Sequence, residues 1–114
     1  MTLSEEKNGN VLVLGLRGKL DMEGAKMLVD KMTETLSGGE RSILLDFTDI
    51  TYINSAGLRG LILVAKQLAS SGGTLILAGV SGQNQNILEI SGLASIFTLR
   101  PTKAEALASF PQRC

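Results

Sequence analysis

The chain contains no histidine, no tryptophan and a single cysteine, Cys114, among its 114 residues. These absences remove Ser-His-Asp and Cys-His triads, zinc sites built from His or Cys clusters, and any internal disulfide. Aromatic residues make up 4% of the chain, too few for a platform on which bases or sugars could stack. An excess of charge of either sign is also lacking. Eleven Lys and Arg balance eleven Asp and Glu, so no overall field draws the chain to nucleic-acid backbones or anionic lipid. The longest apolar run, Leu61 to Ala65, is far below the ~20 residues that span a bilayer. The first residues, Met1 to Lys7, are acidic and carry no secretory signal pattern, which leads us to expect a cytoplasmic protein without membrane insertion. Cys114 fits a reducing compartment or a tail thiol of no consequence.

The hydrophobic fraction of 44% suits an aliphatic core, and 114 residues suit one domain, residues 1–114. Val11 to Leu16 is a Val- and Leu-rich run that reads as a central strand buried on both faces. Leu3 to Lys7 pairs with it across the Asn8-Gly9 turn signal as an antiparallel hairpin. From Met22 to Leu36, the apolar positions Ala25, Leu28, Val29, Met32 and Leu36 recur every three or four residues. This predicts an amphipathic helix capped by Asp21 and stopped at Gly38-Gly39. Ser42 to Phe47 reads as a second buried strand. The next helix begins at Asn54 or Ser55 and turns Leu58, Leu61, Ile62, Ala65, Leu68 and Ala69 toward the sheet, ending at Gly72-Gly73. Its opposite stripe holds Ala56, Gly60, Leu63, Gln67 and Ser70. A strand over Thr74 to Ala78, a helix from about Gln83 to Ser91, a short strand around Ile96 to Leu99 and a helix over Thr102 to Phe110 complete the order ββαβαβαβα. Helices alternating with apolar strands require crossover connections, hence an α/β fold with a mixed, mostly parallel sheet. The layering of the four helices is left open.

The segment Asp46 to Leu58 carries the functional information: a buried strand ends at Phe47, a polar turn follows, and a hydroxyl residue opens a helix. Amides of a first helical turn point outward with partial positive charge, so a phosphate on Ser55 would be stabilised there. A plain capping role for Asn54 or Ser55 fits the same local chemistry. The loop Gly79 to Asn84 raises the alternative of a nucleotide-binding enzyme. It lacks both the Lys-Ser/Thr of a P-loop and the glycine spacing of a dinucleotide site, so we expect no catalysis, cofactor or metal.

The segment Asn54-Ser55-Ala56-Gly57-Leu58 resembles the Asp-Ser-Ser/Thr-Gly-Leu pattern of the STAS domain of bacterial anti-sigma-factor antagonists, and Gly18-Lys19-Leu20-Asp21 resembles that family's Gly-x-Leu/Ile-Asp signature. The element order is similar over essentially the whole chain. The resemblance implies a non-enzymatic partner switch. The unphosphorylated antagonist binds an anti-sigma factor, usually also a serine kinase, and is released when the kinase phosphorylates the serine that matches Ser55. It also implies partner-facing roles for Asp21, Asp46, Asn54, Ser55, Ala56 and Gly57. The outer stripe adds Gly60 and Leu63 to that docking face, with Arg59 at its rim. Asn54 stands in place of the family's acidic residue, and Ala56 in place of a second hydroxyl. The alternative is a STAS scaffold without the phosphoswitch, such as a regulatory subunit of a transporter or sensory complex. Self-association as a homodimer is left open.

Overall fold

The computed structural model describes residues 1–80, 82–92 and 97–110. Strand β1 (Thr2–Asn8) and strand β2 (Val11–Leu20) form the expected antiparallel hairpin, with Asn8 paired to Val11. Gly9 takes φ +62° in the two-residue turn, a conformation open to glycine at little cost. Helix α1 (Met22–Ser37) crosses to strand β3 (Ser42–Ile53), which lies parallel to β2. Helix α2 (Ser55–Ser70) crosses to strand β4 (Thr74–Ala78), parallel to β3. Helix α3 (Gly82–Ile90), strand β5 (Thr98–Arg100) and helix α4 (Lys103–Ala108) follow. The sheet order is β1-β2-β3-β4-β5, and only the β1–β2 pair is antiparallel. Of the predicted last strand, Ile96 lies outside the described residues, as do Ser81 and Cys114.

Alternation along the inner strands assigns the two faces. Leu12, Leu14, Ile43, Leu45, Phe47 and Leu77 pack with Leu28 and Met32 of α1, with Leu61, Val64 and Leu68 of α2, and with Leu88 of α3. Val11, Val13, Leu44, Ile76 and Ala78 point the other way, onto Ala106 of α4 and Phe110. Three helices thus cover one face and α4 covers part of the other. Within α2 the buried residues include Val64, which the predicted stripe omits, whereas Ala69 of that stripe is exposed.

One expectation fails. The predicted polar turn after Phe47 is strand: β3 continues to Ile53, with Ile50 and Ile53 buried. Thr48, Ile50, Thr51 and Ile53 are β-branched and suit a pleated, half-buried surface. The polar reading arose because the alternation breaks. β2 advances from Gly15 to Leu20 while β3 advances from Asp46 to Ile53, with register shifts at Gly15/Arg17 and Gly18/Lys19. These bulges place two extra residues in β3 and convert its inward period from two to three.

Candidate functional site

The C-terminal ends of β2 and β3 deliver two helix starts side by side. Asp21 caps α1, accepting from the Gly24 amide at 3.0 Å, and Asn54 caps α2, accepting from the Gly57 amide at 3.0 Å. The two corners are joined by the Asn54 amide, which donates to the Leu20 carbonyl at 3.3 Å. The Gly24 hydrogen bond favours the ionised Asp21 and holds its carboxyl below the ordinary value of 3.8.

Glycine at position 57 is imposed by this junction. A Cβ there would fall inside the contact shell of the Leu20 carbonyl oxygen, 2.8 Å from its carbon and 3.0 Å from Leu20 Cγ. Gly57 is therefore a fitting residue that seats the first turn of α2 on β2. With Asn54 filling the cap, the hydroxyl of Ser55 is left exposed at the first helical position, making no hydrogen bond among the described residues.

A groove of about 280 Å³ runs between α1 and α2, its lining on α2 beginning at Ala56, the residue after Ser55. The two helices come close at Gly60, which is buried: a Cβ there would lie 2.6 Å from Ala25 Cβ. This corrects the expectation that Gly60 belongs to the exposed stripe. The small Gly60, Ala25 and Ala56 let the helices approach and form the groove's floor, while Met22, Val29 and Leu63 give it apolar walls. Met22 is 73% and Leu63 47% exposed. Lys26 and Arg59 reach the groove from opposite helices, and Asp30 closes its far end. Below the groove, Gln67 Nε2 donates to Thr33 Oγ1 at 2.9 Å and ties the helices together. The α1 side of the groove was missed in the sequence; the pairing of small residues, Ala25 on one helix with Gly60 on the next, was its available signal.

Of the predicted docking residues, Asp21, Asn54, Ser55, Ala56, Gly57, Arg59 and Leu63 gather at this end of α1 and α2. Asp46 lies elsewhere. It pairs with Gly15 and Ala78 in mid-strand, on the same face as Leu44 and away from α1 and α2. Its carboxylate accepts from the Thr48 amide at 3.0 Å and from the Thr48 hydroxyl at 2.6 Å, closing a local turn-like loop at the first bulge. The loop after β4 packs close to that bulge: a Cβ on Gly79 would meet Thr48, and the Gly79 amide donates to the Arg100 carbonyl at 3.1 Å. Among the described residues no helix is long and apolar enough to cross a membrane, and no cluster of metal-ligating side chains forms.

Comparison with known proteins places this architecture. The family model for the STAS domain matches residues 2–106. BtrV of Bordetella bronchiseptica, a candidate anti-sigma factor antagonist, is 36% identical over 110 residues, covering 96% of this chain and 95% of that protein. A candidate anti-sigma factor antagonist from Thermotoga maritima superposes with a TM-score of 0.87 at 23% identity, over 93% of this chain and 92% of that one. The Bacillus cell fate determinant SpoIIAA in its phosphorylated form superposes with a TM-score of 0.72 at 21% identity, over 94% and 97%. The two structural likenesses speak for the fold, and the family match extends over nearly all of it: the chain belongs to the STAS domain family.

Proposed function

We propose that this protein is an anti-sigma factor antagonist whose unphosphorylated form binds an anti-sigma factor that is also a serine kinase, and which phosphorylation of Ser55 releases. The observation that carries this reading is the division of labour at the start of α2. Asn54 supplies the cap, so the Ser55 hydroxyl is free and exposed, one residue before the lining of a largely apolar groove begins at Ala56. The likeness to BtrV over nearly its full length supports the same role.

The chemistry of the switch is local. A phosphate adds about −1.5 to −2 charge at pH 7. At the first position of a helix, that charge lies near unpaired amides and the positive end of the helix dipole, so the fold tolerates it. A partner surface packed over Ser55 must instead desolvate or oppose the phosphate. Weakening a complex a hundredfold requires only about 2.7 kcal/mol, within reach of one such charge. Ser55 is a substrate residue in this scheme, and the chain itself performs no catalysis.

Peptide mass spectrometry of the protein from its own cells tests the assignment. Phosphate confined to Ser55, and lost in Ser55→Ala, is the expected result. Full coverage of the peptide with no phosphate while the candidate kinases are expressed would overturn it and leave the transporter or sensory scaffold.

A further inference from the structure

The groove between α1 and α2 joins an apolar channel to two cations that the fold leaves without partners. Lys26 and Arg59 make no hydrogen bond or ion pair among the described residues. Lys7, Lys31 and Lys103 are instead paired, with Glu40, Glu5 and Glu6, and the other lysines without a partner among the described residues, Lys19 and Lys66, lie outside the groove lining. The apolar walls are equally uncommitted, since Met22 and Leu63 are among the few large hydrophobic side chains exposed in the described chain. The walls run from Met22 to Asp30, about 12 Å of α1 at ~1.5 Å per residue, the length of about two turns of a partner helix.

We infer that this groove seats an amphipathic helix of the anti-sigma partner, with aliphatic side chains inserted between Met22 and Leu63 and with carboxylates facing Lys26 and Arg59. The inference rests on the function proposed above and specifies its partner's chemistry. Charge complementarity selects the occupant. A helix bearing Lys or Arg at the flanking positions would meet two like charges, with Asp30 offsetting them only at the far end. A helix lying in a groove between two helices buries its anchors while its own backbone remains hydrogen-bonded.

The same geometry links the groove to Ser55. Arg59 follows Ser55 by four residues and therefore shares its helical face. A phosphate on Ser55 draws the guanidinium to itself, and the partner's carboxylate loses its counterion while facing a new negative charge. Release then needs no rearrangement of the fold.

The test measures binding of the full chain to its purified anti-sigma factor by isothermal titration calorimetry. The variants are Lys26→Glu, Arg59→Glu and Leu63→Ala, with Lys66→Glu, a turn beyond Leu63 and outside the groove lining, as the control. Circular dichroism checks that each is folded. Each groove variant is expected to weaken binding by about tenfold or more, the equivalent of one charge pair or anchor. Lys66→Glu stays within about twofold, and a partner carrying Lys for the facing carboxylate restores affinity to Arg59→Glu. Tight binding by wild type with unchanged affinity in Lys26→Glu and Arg59→Glu would overturn the acidic-helix assignment while leaving the antagonist function standing. No binding by wild type would overturn the proposed function, and this inference with it.

Discussion

Replacing Gly57 by alanine tests whether the junction between β2 and α2 is as tight as its geometry implies. The new Cβ would lie 2.8 Å from the Leu20 carbonyl carbon, against an ordinary separation of about 3.5–4.0 Å. The obstacle is backbone, held by the Asn54 amide at 3.3 Å, so a rotamer change cannot relieve it. The first turn of α2 has to retreat by roughly 1 Å, which weakens the Asn54 cap at the Gly57 amide. Overpacking costs about 1–3 kcal/mol and a weakened cap up to about 1 kcal/mol. Alanine's better helix propensity returns about 1 kcal/mol. The net expectation is a loss of about 2 kcal/mol, which lowers the urea midpoint by about 1 M at a slope of ~1–3 kcal/mol/M. Urea unfolding followed by circular dichroism reads this shift directly. A midpoint equal to or above that of wild type would refute the steric argument, because helix propensity alone predicts stabilisation.

Other substitutions address the remaining elements. Asn54→Ala should lower stability by about 1 kcal/mol while Asn54→Asp retains the cap, a contrast read from the same urea midpoints. For Asp21 the sign follows from its depressed carboxyl pKa. Its contribution is fully present above the ordinary unfolded value of 3.8 and disappears as pH falls through the folded value. The stability difference between wild type and Asp21→Asn should accordingly be constant near neutral pH and shrink in acid; a difference that grows in acid would contradict the capping geometry. Arg41 donates to the carbonyls of Leu36, at 3.0 Å, and Ser71, at 3.1 Å, clamping the C-terminal ends of both α1 and α2. Arg41→Ala should cost about 1–2 kcal/mol, consistent with charge-assisted hydrogen bonds near the surface, with hydrogen exchange accelerated in the last turns of those two helices first.

Local rules made much of this fold legible. Asn8-Gly9 forms the hairpin, Asp21 and Asn54 occupy the predicted caps, and the glycines at 38–39 and 72–73 follow the helix ends. What escaped depends on neighbours distant in sequence. The continuation of β3 to Ile53 reflects bulges generated by pairing with β2, which break the period that a sequence reading relies on. Gly60 lies on what the helical period alone marks as an outer stripe, yet Ala25 of another helix covers it. The role of Arg41 exists only where the two helix ends converge on it. The capping residues and Ser55 were visible in the sequence, whereas the groove with its free cations required the packing of α1 against α2. Asp46 illustrates the converse: the family resemblance implies a partner-facing role for it, but strand alternation sends it to the face opposite α1 and α2.

The central claim is that phosphate on Ser55 controls association through this surface. The most direct measurement compares the affinity of two full-length forms for the purified anti-sigma factor: the unmodified chain, and the chain with phosphoserine installed at position 55 by genetic encoding. The account predicts a complex weakened by about a hundredfold or more with the fold unchanged by circular dichroism. Equal affinities of the two forms would contradict it.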